Sequence, residues 1–177
     1  ESRSVGISNG SGVVDVRDRA TGAEGGVGGS ASSHAEGRNA GSATVHVLAE
    51  SIGGASEDFE SAGGSAMATA HGASATGDVF VESITRRGSN RAIAGANAAD
   101  RAVTHVEDSV SGSTAGTLHL TQRVFGGETQ NGLAGESHAG STSSSLAGTN
   151  EGGGDLVLIS EATAAGGGHV LSLIHIS

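Results

Sequence analysis

Two short motifs in this chain have the residue types of known active sites. Gly135–Ala139 (GESHA) has the G-x-S-x-G spacing that presents a nucleophilic serine in hydrolases, with alanine in the last place. Gly26–Ala31 (GVGGSA) has the G-x-G-x-x-A spacing of a dinucleotide-binding turn. Glycine and serine are so frequent here that chance alone yields about 1.5 matches to the first spacing and about two to the second. Neither motif therefore predicts catalysis or cofactor binding.

The surroundings of both motifs also lack the elements that would position them. A nucleophile elbow needs a buried strand before the serine and a helix after it, and a dinucleotide turn needs a helix N-terminus to hold the pyrophosphate. Glycine interrupts every stretch within about ten residues, and no apolar helical stripe persists. A Walker P-loop is excluded because it requires lysine, whereas all nine basic residues are arginine. We expect no catalytic residue, no cofactor and no enzymatic activity.

The composition disfavours several classes of partner. The net charge is −10, and Arg86, Arg87 and Arg91 are the only close group of cations, so nucleic-acid binding is not expected. The absence of lysine also disfavours anionic membrane surfaces. No apolar run approaches the ~18 residues of a membrane helix, so we expect no membrane span.

One block with period-two alternation recurs five times. Blocks begin at Val14, Val45, Val79, Leu118 and Leu156, so that successive blocks are 31, 34, 39 and 38 residues apart. Each block places Val or Leu at its first and third positions, with small residues predicted at the fifth and seventh. This alternation predicts a half-buried β-strand with one solvated face. The recurrence in a non-helical sequence indicates stacked supersecondary units.

Alanine-rich strands are predicted between these blocks. Three segments place alanine at alternate positions, at 31–35 (ASSHA), 66–70 (AMATA) and 92–98 (AIAGANA), and a further strand is predicted over Ala102–Val110. Because their inward side carries only alanine, the opposing layer must approach closely. Glycines follow the blocks and are expected to supply corners with positive φ, at Gly22, Gly53, Gly54, Gly88, Gly126, Gly127 and 166–168.

The acidic and histidine residues show no metal-ligand spacing. Acidic clusters occur at 57–60 (EDFE) and at 107–108 (ED), but neither matches a calcium-binding loop, so we predict solvated turns. The eight histidines contain no H-x3-H pair of the zinc-site type. Four histidines are predicted to point outward without a structural partner, namely His34, His46, His71 and His119. The alternative is a stacked histidine ladder whose charge depends on pH.

These patterns predict an all-β chain, a β-solenoid of stacked repeats of 31–39 residues. Stacking suits small side chains because each layer adds a row of backbone hydrogen bonds. A glycine-rich antiparallel β-sandwich is the alternative β architecture, although it does not require a fixed period. A largely disordered chain is the other alternative, since the net charge of −10 and the mean hydropathy of −0.09 lie near the disorder boundary.

The V-x-V strands, Gly-Gly turns and A-x-A-x-A strands of residues 11–170 resemble the repeat regions of large exported bacterial surface proteins. The closest in style carry C-terminal sorting signals of the PEP-CTERM kind, and adhesin passenger regions come next. This resemblance implies a non-catalytic structural repeat region of a secreted or cell-surface protein, with further repeats or other copies as partners. An adhesin passenger region that binds a glycan or a host-surface ligand is the alternative. No sorting motif occurs in the sequence.

The two ends differ in style from the repeats. The last seven residues, LSLIHIS, resemble the translation of a transposase-adapter sequence used in short-read library preparation. We therefore expect residues 169–177 to be a non-native tail, residues 11–168 to be the β repeat domain and residues 1–10 to be a partial leading segment. With no initiator Met and no signal-peptide pattern, the chain is expected to be a metagenomic fragment cut at both ends.

Overall fold

A computed structural model describes residues 1–57, 63–89, 104–127, 141–164 and 169–176 of the chain. These residues form twelve strands and no helix. The strands are β1 Ser2–Ser8, β2 Val14–Thr21, β3 Ala31–Asn39, β4 Val45–Ile52, β5 Ala66–Ser74, β6 Val79–Arg86, β7 Thr104–Glu107, β8 Val110–Ser113, β9 Leu118–Phe125, β10 Thr142–Ser145, β11 Leu156–Thr163 and β12 His169–Ile176.

Two parallel sheets enclose the core. The Val/Leu sheet has the strand order β12-β11-β9-β6-β4-β2, the Ala sheet has the order β1-β3-β5-β8, and β7 pairs with β10. The chain alternates between the sheets, so neighbours within a sheet are one repeat apart. This arrangement is a β-solenoid of about four turns, as predicted. All described pairings between named strands are parallel except β11 with β12, so the antiparallel sandwich and the disordered chain are wrong for this part of the protein.

The five blocks lie in register. Val14 pairs with Val45, Val45 with Val79, Val79 with Leu118 and Leu118 with Leu156, which confirms the predicted offsets. Because side chains alternate between faces, a slip of one residue would turn every inward side chain outward. The register is therefore fixed by the burial of one face.

A column of glycines in the Ala sheet receives the valines of the opposite sheet. Gly37 pairs with Gly72, and this column also contains Gly6 and Gly112. A Cβ added at Gly37 would lie 2.7 Å from Val47 Cγ2, which a β-branched side chain cannot readily vacate. The prediction that the inward side of these strands carries only alanine is therefore wrong. Glycine lets the two sheets approach where the valines project furthest.

The corner glycines are needed for close backbone approach and not for positive φ. Among the described glycines only Gly153 has positive φ, at 81°, so the predicted reason is wrong for the described corner glycines, whereas residues 166–168 lie outside the described part of the chain. A Cβ on Gly53 would lie 2.0 Å from Gly64 O, and a Cβ on Gly54 would lie 1.9 Å from Ala23 O. The chain leaving one sheet and the chain entering the other therefore touch through their backbones.

These opposed corner segments are joined by a zigzag of backbone hydrogen bonds. Gly54 N donates to Gly29 O at 2.8 Å, Gly64 N donates to Gly54 O at 2.8 Å, and Gly88 N donates to Gly64 O at 3.0 Å. The zigzag alternates between the segments that follow the Val/Leu strands and those that precede the Ala strands. It links successive turns at this corner of the solenoid.

The strand predicted over Ala102–Val110 is divided in two. β7 ends at Glu107 and β8 begins at Val110, while residues 102–103 lie outside the described part of the chain. Asp108 has a φ of 44°, a left-handed conformation that Asp tolerates better than most residues. Its carboxylate accepts a hydrogen bond from Ala147 N at 2.7 Å, which supports the bend. The predicted alanine strand at 92–98 also lies outside the described residues.

The two ends of the chain contribute edge strands. β1, from the leading segment, is the edge strand of the Ala sheet and pairs with β3. β12 runs antiparallel to β11 and ends the series of parallel strands. All eight residues of β12 are exposed, so its side chains add nothing to the core.

Candidate functional site

The outward side chains of the Val/Leu sheet form columns along the solenoid axis, because its strands are parallel and in register. The column at the second block position contains Asp15, His46, Phe80, His119 and Val157. The rings of His46 and Phe80 stack with centroids 4.9 Å apart and an interplanar angle of 11°. Those of Phe80 and His119 stack at 4.6 Å and 13°. These three rings are called the aromatic ladder below.

A shallow groove runs beside the aromatic ladder. Its opposite wall is the column two residues further along each strand, which contains Arg17, Leu48, Glu82 and Thr121. The groove has a volume of about 330 Å³, with Val47 and Val81 between its two walls. It crosses β2, β4, β6 and β9 and is called the axial groove below. It is a candidate binding surface within the described residues.

Ion pairs connect neighbouring strands on the same face. The pairs are Arg19–Glu50 at 3.2 Å, Arg86–Glu50 at 3.5 Å, Arg123–Glu82 at 3.1 Å and Arg123–Glu161 at 3.1 Å. The guanidinium of Arg86 also lies 4.0 Å from the ring centroid of Phe125. Because these arginine side chains are at least 41% exposed, each pair contributes at most about 1 kcal/mol. These pairs reinforce the register of the stack.

Asp18 is buried at the fifth block position, where a small residue was predicted. It is 4% exposed and accepts hydrogen bonds from the hydroxyls of Ser2, Ser4 and Ser33 at 2.7–2.8 Å and from His34 N at 3.1 Å. Burial raises the pKa of Asp18, but these four hydrogen bonds outweigh burial and hold the pKa below its ordinary value of 3.8. The carboxylate is therefore charged and joins the first two turns.

Gln122 occupies the same inward column near the other end of the solenoid, and there too the prediction of a small residue is wrong. The side chain is fully buried. Its Oε1 accepts hydrogen bonds from Ser109 N and Ser109 Oγ, and its Nε2 donates to Val106 O, Ser144 Oγ and Ser145 O, all within 2.8–3.0 Å. Gln122 thus satisfies the backbone at the bend between β7 and β8.

Of the two short sequence motifs, one lies within the described residues. Gly26–Ala31 lies in the corner between β2 and β3, and the segment that follows it is a strand. Gly135–Ala139 and the acidic residues 58–60 lie outside the described residues. The turn at Asp108 is more than a solvated turn, because its carboxylate caps Ala147 N. The expectation that the chain has no catalytic residue stays a prediction.

The four histidines point outward as predicted, but the prediction that they lack partners is wrong. His46 and His119 stack on the two faces of Phe80. The other two have hydroxyl partners on the next strand, with His34 Nδ1 2.9 Å from Thr69 Oγ1 and His71 Nδ1 2.9 Å from Ser111 Oγ. The signal for the stack was present in the sequence, because His, Phe and His occupy the second position of three successive blocks.

No protein-family model, curated protein or solved structure matches this chain. Within the described ranges, no three His, Asp or Glu side chains converge where a metal ion could bind. In the same part of the chain, no helix is long and apolar enough to cross a membrane. The aromatic ladder, the axial groove and the two buried polar networks are therefore the features from which function has to be inferred.

We expect Asp18→Asn to destabilise the fold at neutral pH and to reduce its sensitivity to acid. The pKa of Asp18 is below 3.8 in the folded chain, so the unfolded chain takes up this proton first as the pH falls. The stability from the charged carboxylate is thus fully present above about pH 5 and is lost as the pH falls through 3.8 and below. Urea unfolding should show a loss of about 1–3 kcal/mol at neutral pH and a flatter profile in acid.

His71 provides the control, because its protonation changes stability at a higher pH than that of Asp18 does. Burial lowers the pKa of His71 below 6.5, Arg38 and His34 lower it further, and Glu36 opposes them. Its contribution is therefore present above pH 6.5 and is lost as the pH falls through the folded-state pKa. His71→Gln should reduce the pH dependence of the unfolding free energy just below pH 6.5 and leave the dependence below about pH 5, which belongs to Asp18, unchanged. If Asp18→Asn changed the pH dependence of stability only in the range assigned to His71, the role given to Asp18 would be contradicted.

Proposed function

We propose that this chain is a structural repeat region of a secreted or cell-surface bacterial protein, in which stacked turns form a rod without catalysis. The observation that carries the proposal is the in-register column of β2, β4, β6, β9 and β11. Backbone ladders and pairs such as Arg19–Glu50 hold each turn to the next. In such a stack both length and stability grow with the number of turns, as a spacer requires.

The interior supports a structural role. Val45, Val79 and Leu118 are fully buried against the Ala sheet. The buried polar side chains of Asp18 and Gln122 direct their hydrogen bonds to other parts of the chain. Both networks therefore stabilise the stack.

An adhesin passenger region that binds a glycan has less support. Sugars commonly bind proteins by packing their C–H groups on an exposed aromatic face. Both faces of Phe80 are covered, one by His46 and the other by His119. Arg86 lies over the ring of Phe125. Of the two described phenylalanines, Phe80 is thus covered on both faces and Phe125 has an arginine of the chain over its ring.

Antibodies raised against the purified chain test the proposal in cells that carry its gene. We expect labelling of intact cells without permeabilisation, and labelling only after lysis would contradict export. In parallel, the purified chain is applied to a glycan array and to animal cells. The structural role predicts no saturable binding. Saturable binding to one glycan, lost with Phe80→Ala, would favour the adhesin alternative.

A further inference from the structure

We propose that the axial groove binds elongated, planar aromatic cations, with the long axis of the ligand parallel to the solenoid axis. This inference is independent of the structural role proposed above. The groove crosses four strands, which at about 4.8 Å per strand gives about 14 Å between its outer strands. Its volume of about 330 Å³ lies at the lower end of the range of small-molecule sites. A ligand of two or three linked aromatic rings matches this length and thickness.

The aromatic ladder determines which face of a ligand the groove accepts. Because the rings of His46, Phe80 and His119 cover each other's faces, it is their edges that line the groove. Ring edges carry positive partial charge and pack favourably on the π face of another ring in a T-shaped arrangement. A planar ligand lying along the groove offers its π face to three edges at once. A saturated sugar ring has no such face.

Both carboxylates of the groove are paired with arginines, so the preference for a cation comes from the net charge of the chain. Its lining carries two carboxylates, Asp15 and Glu82, against the single guanidinium of Arg17. Arg17 pairs with Asp15 at 3.2 Å, and Glu82 pairs at 3.1 Å with Arg123, which lies outside the groove lining. The chain as a whole has a net charge of −10, so its field attracts cations and repels anions.

The opposite wall supplies the apolar contact. Leu48 projects from β4 and Thr121 projects from β9, where it offers its methyl group. Glu82 lies between them on β6. A flat ligand is thereby enclosed between ring edges on one side and aliphatic groups on the other. The carboxylate of Glu82, which pairs with Arg123 at 3.1 Å, lies at mid-groove.

Thioflavin T, an elongated planar benzothiazole cation, is the probe. The full chain is isolated as a monomer by size exclusion immediately before titration, and dye fluorescence and anisotropy are recorded. We expect one dye per chain with a dissociation constant on the order of 10–100 μM. The aromatic anion 8-anilinonaphthalene-1-sulfonate should bind at least about ten-fold more weakly. Glu82→Gln should reduce the difference in affinity between the cationic and the anionic dye.

Phe80→Leu separates the ladder from the rest of the surface. It removes the central ring, keeps an apolar side chain and leaves the inward residues of β6 unchanged, so we expect at least about ten-fold weaker thioflavin binding. Phe125→Leu is the matched control, because Phe125 is also an outward aromatic residue but does not line the groove. Both variants should retain a β-strand circular dichroism spectrum.

Three outcomes would overturn the proposal. They are thioflavin binding that survives Phe80→Leu, binding that Phe125→Leu weakens equally, and binding found only in a sedimenting aggregate. Stronger binding of the anion than of the cation would contradict the charge argument. None of these outcomes bears on cell-surface labelling, so failure here is distinguishable from failure of the structural role.

Discussion

Removing residues 48–81 should leave a folded solenoid that is one turn shorter. Leu48 pairs with Glu82 in the parallel register, so the deletion joins Val47 to Glu82 and preserves the alternation of inward and outward side chains. Asp18 and Gln122 keep their partners, because both networks lie outside the deleted segment. At about 0.05–0.15 kcal/mol per residue, the loss should be about 2–5 kcal/mol, with cooperative urea unfolding and a strand-type circular dichroism spectrum.

Removing residues 48–80 is the matched control, and it differs by one residue. This deletion joins Val47 to Val81, so Glu82 and Ile84 turn inward while Ser83 and Thr85 turn outward. A carboxylate would then face the Ala sheet without a partner, at a cost of several kcal/mol. We expect this variant to lack a cooperative unfolding transition. Equal stability of the two deletions would contradict an in-register stack.

The Val/Leu strands could be predicted from the sequence because their two faces differ at almost every step. In β2, for example, the inward Val14 and Val16 alternate with the outward Asp15 and Arg17, and the structure places the strand at Val14–Thr21. The Ala strands carry a weaker signal, since Ala, Ser and Gly differ little in hydrophobicity. Their positions could be predicted, but the inward Gly37 and Asn39 at the end of β3 could not.

The buried polar networks could not be predicted because their partners are distant in sequence. Asp18 looks like an interruption of the inward apolar residues along β2, and its four donors lie 14 to 16 residues away on two other strands. The bend at Asp108 likewise depends on Gln122, whose amide binds Ser109 from a different sheet. Local patterning identifies which face is buried, but not which polar group meets which.

The corner glycines show how a correct position can be predicted for the wrong reason. Glycine after each block was expected to permit positive φ, whereas the structure uses its missing side chain. Positive φ and close backbone approach both favour glycine, so the sequence does not distinguish between them. They differ in what a substitution does, because positive φ strains the backbone of one residue, whereas close approach involves the backbone of another turn.

Gly54→Ala is therefore expected to be among the most damaging single substitutions in the chain. The added Cβ would lie 1.9 Å from Ala23 O, 2.6 Å from Ala23 C and 2.9 Å from Gly29 N. These are backbone atoms and cannot rotate away. Admitting the methyl group requires the corner segments to separate, which breaks the bonds from Gly54 N to Gly29 O and from Gly64 N to Gly54 O. Overpacking costs 1–3 kcal/mol where side chains can adjust, so here we expect at least about 3 kcal/mol by urea unfolding.

Gly26→Ala adds the same methyl group in the preceding corner and is the matched control. A Cβ at Gly26 would meet nothing within 4 Å, and Gly26 does not have positive φ. Alanine there restricts the unfolded chain without straining the folded one, so we expect no loss and a gain of up to about 0.4–1 kcal/mol. Similar effects of the two substitutions would mean that the corner segments are not in backbone contact. A large loss confined to Gly54→Ala would instead locate the tightest packing of the solenoid in its glycine corners, where one methyl group is enough to separate two turns.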